Sequence, residues 1–172
     1  IDPSAKKFAK NYSKSELIPD FFNDKSSLSI KKKFGNFDII SSIAMFYDLE
    51  DPKQFSYNVE SLLTPNGIWI FEQSYLPLMI KNNAFDTICH EHIEYYKLQD
   101  IFNIFKDTGL KIFNVSTDET NGGSFRVMCC KESAKHQISD NVDKLLNKEL
   151  KFFSNKQVYN NFNKRILSIK TE

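Results

Sequence analysis

The chain has 172 residues, 41% hydrophobic and 26% charged, with a formal net charge of +1. That length supports one domain with a sizeable core, and the balanced charge leaves no electrostatic footprint for nucleic acid or an anionic membrane. The longest apolar runs, such as Ile39 to Phe46, contain serine and are far too short to span a bilayer.

The opening Ile1-Asp2-Pro3-Ser4 reads as the end of a strand entering a helix, with Ser4 as N-cap and Ala5, Phe8, Ala9 and Tyr12 at helical spacing. Without an initiator Met or signal peptide, the sequence reads as truncated at its start. Leu17 to Phe22, broken by Pro19, suggests an edge strand. Ser26 to Lys33 is polar and basic, as expected of a solvated loop or helix face. Phe37 to Ser42 reads as a buried strand. Asp51-Pro52 then starts a helix whose inner stripe is Phe55, Val59, Leu62 and Leu63. Pro65-Asn66-Gly67 predicts a turn before a strand at Ile68 to Phe71.

A polar loop is expected from Glu72 to about Tyr96. Leu98, Ile101, Phe102 and Phe105 then mark an amphipathic helix stopped by Gly109. Lys111 to Ser116 and Ser124 to Lys131 read as strands joined by a turn at Asn121-Gly122-Gly123, close enough to be antiparallel. The alternation of strand and helix predicts an α/β fold with a mostly parallel sheet over residues 1–134. Residues 135–172 form a helical tail, with stripes at Val142, Leu145, Leu146, Leu150 and Phe153, then Val158, Phe162, Ile166 and Ile169. Cys89, Cys129 and Cys130 make no disulfide framework, since adjacent strand residues face opposite ways; a reducing, cytoplasmic setting is the expectation.

Four places could carry chemistry. Asp2, at the expected carboxyl end of a strand, could bind a ribose diol, although Asp-Pro-Ser is also an ordinary helix entry. Glu72-Gln73-Ser74-Tyr75 leaves the carboxyl end of a strand, where ligands bind in open α/β sheets. Cys89-His90-Glu91-His92 offers imidazoles that titrate near neutral pH beside a carboxylate, suited to proton abstraction. A His-x-His metal reading lacks a third ligand at nearby spacing, so no metal is expected. Asn121-Gly122-Gly123-Ser124 places polar donors on a turn, which in isolation is an ordinary hairpin connection.

Together these segments carry a resemblance. Phe37-Asp38-Ile39-Ile40 with Phe46-Tyr47-Asp48-Leu49-Glu50-Asp51-Pro52 resembles the fourth strand and following helix of a class I methyltransferase. Gly67 to Pro77 resembles the fifth strand and its loop. Phe85-Asp86-Thr87-Ile88-Cys89-His90-Glu91-His92-Ile93-Glu94-Tyr95-Tyr96 and Asn121-Gly122-Gly123-Ser124-Phe125-Arg126 resemble signatures of the nucleotide-sugar C-methyltransferase family. The resemblance implies a Rossmann-like sheet. It also implies S-adenosylmethionine as methyl donor and a nucleotide-linked keto-sugar as acceptor. Zinc would occur only in an N-terminal domain outside this sequence, and the first strand with its glycine-rich loop would be missing too. It implies His92 as the base, Glu91 and His90 orienting it or binding sugar, Tyr75, Tyr96 and Asn121 at the substrate, and Asp2 and Glu72 at the cofactor.

A tyrosine often stands in this family where the present chain has Cys89. A thiol is a weak donor to an enolate oxygen, and Tyr75, Tyr95 and Tyr96 are the phenols named as replacements. Two further expectations follow from the family order of strands. The edge of the Phe37 to Ser42 strand should lack a partner, and the chain alone should bind S-adenosylmethionine weakly and fold poorly. Two alternatives stand beside this reading: a methyltransferase with a non-sugar acceptor, and a non-catalytic domain of the same fold.

Overall fold

In the computed structural model, which describes residues 1–4, 7 and 15–171, four strands form one sheet with helices packed on one face. In chain order the elements are α1 (Asp24–Phe34), β1 (Phe37–Ile43), α2 (Pro52–Leu62), β2 (Leu63–Ser74), α3 (Leu76–Asn82), α4 (Leu98–Phe105), β3 (Leu110–Asp118), β4 (Ser124–Lys131), α5 (Asp140–Ser154) and α6 (Val158–Thr171). Single-turn 3-10 helices lie at Phe46–Asp48, Phe85–Thr87 and Thr120–Gly122. The sheet order is β1-β2-β4-β3. β1 and β2 are parallel, and β4 is antiparallel to both β2 and β3. Three strands therefore share a direction. β4 reverses because its connection from β3 is too short for a crossover.

The capping chemistry explains the helix starts. Asn23 and Ser26 form a reciprocal capping box at α1, with Ser26 N donating to Asn23 Oδ1 at 3.0 Å and Asn23 N donating to Ser26 Oγ at 2.9 Å. Asp51 accepts from Gln54 N at 2.8 Å ahead of Pro52 in the first turn of α2, as the sequence indicates. The sheet register then assigns its faces. Ile40, Ser42, Trp69, Phe71, Phe125, Val127, Cys129, Ile112 and Val115 point to the face covered by α2 and α4. Phe46, Trp69, Phe71, Phe125, Val127 and Cys129 are fully buried there. The opposite face carries Ile39 and Ile43, 65% and 56% exposed, and the Arg126–Glu72 ion pair. Cys129 and Cys130 face opposite ways and all three cysteines are free.

Several expectations are corrected. Leu17 to Phe22 contains no strand; backbone Asp2 N instead donates to Ile18 O at 3.3 Å. Ile1 and Asp2 are not in a strand either: Asp2 Oδ1 accepts from Ser4 N and Ser4 Oγ, each at 2.7 Å. The helical spacing at Ala5, Phe8, Ala9 and Tyr12 lies outside the described residues. Pro65-Asn66-Gly67 is no separate turn but part of β2. The pairing jumps from Phe37↔Leu63 to Ile39↔Ile68, so these residues form a wide bulge. Gly67 is needed there because a Cβ would sit 2.7 Å from Phe37 O. The expected loop after Glu72 contains α3, whose first turn includes Pro77. α4 ends at Phe105, before Gly109, and Gly109 at φ 76° instead leads into β3. In the tail stripes Leu150 and Ile169 are exposed, at 67% and 48%.

The tail docks on the sheet domain through a core side chain, a buried carboxyl group and the Arg165 hydrogen bonds to Asn83 Oδ1 and Ile80 O. Val142 of α5 is 2% exposed and belongs to the main core. Glu149, 3% exposed, accepts from Leu98 N at 2.5 Å and Gln99 N at 3.1 Å, capping α4 from a distance. Tyr75 Oη donates to the same carboxylate at 2.8 Å. Burial raises the Glu149 carboxyl above its usual range, although these donors and Lys97 oppose the shift.

Two stability measurements follow. Gly123 at φ 123° has no room for a methyl group, since its Cβ would lie 2.3 Å from Leu78 Cβ, whereas Gly35 at φ 79° faces open space. Urea titration should show Gly123→Ala destabilised by about 2–5 kcal/mol and Gly35→Ala by about 1–2 kcal/mol; equal losses would contradict the packing described. For Glu149 the folded state favours the protonated form, so its contribution is greatest below the unfolded pKa of about 4.3 and declines as pH rises through the raised native value. The stability gap between wild type and Glu149→Gln should therefore shrink from pH 4 towards pH 7, and a widening gap would contradict the assignment.

Candidate functional site

The site is assembled by one turn and three loops at the carboxyl ends of β1 and β2. After β1 the chain turns at Ala44, φ 52°, whose N–H donates to Glu72 O at 2.8 Å. Phe46 then plunges into the core against Phe71 (centroids 5.0 Å), Trp69 (5.6 Å) and Tyr96 (5.7 Å). That anchor leaves Tyr47 half-buried and Asp48 exposed on the outer side of the turn. Tyr47 O accepts from Ile93 N at 3.1 Å and Glu94 N at 3.2 Å, which ties the histidine segment to the turn. The His92 ring packs on Tyr47 with centroids 4.1 Å apart and on Tyr95 at 6.3 Å.

The other segments are laced to the same place. Leu76 N donates to Tyr96 O at 2.9 Å, and Tyr75 N donates to Gly123 O at 3.0 Å. Asn82 of α3 holds the turn before β4 by donating to Gly122 O at 2.9 Å and Glu119 Oε2 at 3.0 Å. The Glu72–Tyr75, His90–His92 and Asn121–Ser124 segments thus join through shared backbone hydrogen bonds with Tyr47, Tyr75 and Tyr96.

The side chains divide by role. His92 is half-buried, with Nδ1 buried and without a hydrogen-bond partner. His90 and Glu91 are exposed and face each other at 3.9 Å, away from a role in holding His92 by direct contact. Tyr75 is 3% exposed and its hydroxyl donates to Glu149. Tyr96 is 6% exposed with an unpartnered hydroxyl; burial, then the charges of Glu94 and Asp100, push its pKa up to about 12. Asn121 is exposed in a left-handed conformation, φ 51°. Glu72 is held by Arg126 at 2.5 Å beside its register partner Ile43 on the open face. Asp2 is held in its turn by Ser4.

Sequence reasoning gave no individual role to Tyr47, Asp48 or Gln73. Burial raises the Asp48 carboxyl while neighbouring His92 opposes that shift, placing a carboxylate near the imidazole. Gln73 is 2% exposed and neither end of its amide has a partner. Tyr47 and His92 are distant in sequence, and no spacing rule links them. Next to the histidine segment a cavity of about 460 Å³ opens between Leu49–Pro52, Ile93–Tyr96 and α4, with Glu50, Glu94, Asp100 and Asn103 among its lining residues. Among the described residues no cluster of His, Cys, Asp and Glu is arranged to hold a metal ion, and no helix is long and apolar enough to cross a membrane.

A C-methyltransferase from Streptomyces niveus, NovU, is 31% identical over 134 residues, 78% of this chain and 32% of NovU, so the chain spans about a third of that relative's length. The crystal structure of a SAM-dependent methyltransferase from Anabaena variabilis shares the fold with a TM-score of 0.55 at 13% identity, covering 75% of this chain and 65% of that one. Residues 119–172 match the C-methyltransferase C-terminal domain. Residues 1–115, more than half of the chain, match the methyltransferase domain, and the chain belongs to that methyltransferase family.

Proposed function

We propose that the full-length protein containing this chain transfers a methyl group from S-adenosylmethionine to an enolisable carbon of a nucleotide-linked keto-sugar. The observation that carries the reading is His92, an imidazole at the carboxyl edge of the sheet, set against a phenol and near the Asp48 carboxylate. The relative named as a C-methyltransferase supports carbon as the acceptor atom. When bound, the cofactor supplies a methyl group on a cationic sulfonium. Glu72, paired with Arg126 beside exposed Ile43, and Asp2 are the carboxylates assigned to it.

His92 takes the proton from the carbon beside the keto group, and the C–H electron pair moves through the new C–C double bond onto the carbonyl oxygen. The carbonyl re-forms as the carbon–carbon double-bond pair takes the methyl group, the C–S pair staying on sulfur as a neutral thioether, and His92 releases its proton to solvent. Asn121 binds the acceptor, with His90 and Glu91 at its exposed rim. The carboxylates of the neighbouring cavity, which Tyr96 also lines, suit sugar hydroxyls rather than phosphate, because Glu50 and Glu94 would repel a diphosphate. Activity belongs to the full-length polypeptide. The outer edge of β1 has no partner strand among the described residues, which supports reading this chain alone as catalytically incomplete.

The test is His92→Asn in the full-length protein, assayed by mass spectrometry of a methylated nucleoside diphosphate keto-hexose. Methyl transfer should fall by about 10²–10⁴-fold, with methyl-donor affinity kept within about threefold. Activity within about tenfold of wild type, or a product methylated on oxygen by NMR, would overturn the proposal.

A further inference from the structure

Removing a proton beside a carbonyl leaves negative charge on the carbonyl oxygen, and a fixed donor at that oxygen lowers the barrier. Cys89, at the head of the histidine segment, is an exposed thiol and a weak donor. The three tyrosines suggested by sequence as substitutes are otherwise engaged or enclosed. The Tyr75 hydroxyl donates to Glu149, and the Tyr95 hydroxyl donates to Thr87 O at 3.3 Å. The Tyr96 hydroxyl is buried beside the aromatic core.

Tyr47 differs from all three. Its ring meets His92 at 4.1 Å with a 45° tilt, the nearest aromatic contact His92 makes. Its backbone carbonyl holds Ile93 and Glu94, so phenol and imidazole are fixed relative to each other by the chain itself. Phe46, fully buried next to it, removes the freedom of the turn. Its hydroxyl makes no hydrogen bond to another described residue. We propose that Tyr47 is a catalytic residue, the phenolic donor that stabilises the enolate oxygen while His92 removes the proton. Burial first, with Asp48 and Cys89 beside it, raises the Tyr47 pKa, so the phenol keeps its proton at neutral pH and remains a donor. No covalent bond to Tyr47 forms or breaks. The proton goes to His92, the electron pair rests on oxygen, and the phenol O–H points at that oxygen.

This inference rests on the proposed function, and the experiment separates the two. The full-length protein is incubated in D₂O with a nucleoside diphosphate 4-keto-hexose and no methyl donor, and exchange of the proton beside the keto group is followed by NMR. Wild type should exchange and His92→Asn should not; absence of exchange in wild type overturns the proposed function, and the role of Tyr47 with it. Tyr47→Phe keeps the ring against His92. It should exchange about 10²–10³-fold more slowly, with acceptor affinity within about threefold and an unchanged thermal transition. Adding Cys89→Tyr to Tyr47→Phe should recover at least about tenfold, because a phenol returns from the neighbouring position. Exchange by Tyr47→Phe within about threefold of wild type overturns the assignment while leaving His92 as the base. So does a loss that appears entirely as weakened acceptor binding.

Discussion

The burial of Phe46 is the constraint on which the site depends. Its ring is fully enclosed and stacked on Phe71 at 25°, with Trp69, Phe55 and Tyr96 around it. Burying a phenylalanine contributes about 1.5–3 kcal/mol of transfer free energy, and close aromatic pairs add about 0.5–1.5 kcal/mol each. That fastening fixes the turn after β1, where Ala44 already adopts a left-handed conformation held by Glu72 O. With the turn fixed, the Tyr47 carbonyl has a set direction, and the N–H groups of Ile93 and Glu94 follow it. A segment without regular structure, Ile88 to Tyr96, thereby acquires a defined path over the sheet edge.

Distant parts of the chain reinforce this arrangement. Tyr75, which follows β2 directly, gives its N–H to Gly123 and its hydroxyl to Glu149. Glu149 in turn holds the first N–H groups of α4, immediately after the histidine segment. The helical tail is thus part of the framework behind the site, which fits the match of residues 119–172 to a domain found in C-methyltransferases. A buried carboxylate with three donors is a demanding arrangement. Removing any donor leaves charge unsatisfied, which couples α5 to the loops that carry the chemistry.

Much of the fold was legible because its signals are local. β1, β3 and β4 lie where apolar runs and turn residues place them, and Asp51-Pro52 starts α2 as its capping chemistry dictates. Misreadings arose where a distant partner overrides local preference. Pro65-Asn66-Gly67 has the composition of a turn, yet pairing with β1 absorbs it into a bulge. Leu17 to Phe22, interrupted by Pro19, stays outside the sheet. Asp2 accepts from Ser4 N in a turn, where a strand end was expected. The histidine segment itself was recognisable from its residues. Its contact with Tyr47 was not, since a chain separation of that size leaves no periodic trace. Tyr75 illustrates the same limit: its hydroxyl partner, Glu149, lies 74 residues away.

The most direct measurement is a crystal structure of the full-length protein with S-adenosylhomocysteine and a nucleoside diphosphate keto-hexose. The expected result places a His92 ring nitrogen within about 3.5 Å of the carbon beside the keto group, with Tyr47 Oη at hydrogen-bond distance, about 2.6–3.2 Å, from the keto oxygen. A keto-hexose bound with its reacting carbon beyond reach of His92, for instance over Glu72 and Arg126 on the open face, would contradict the account.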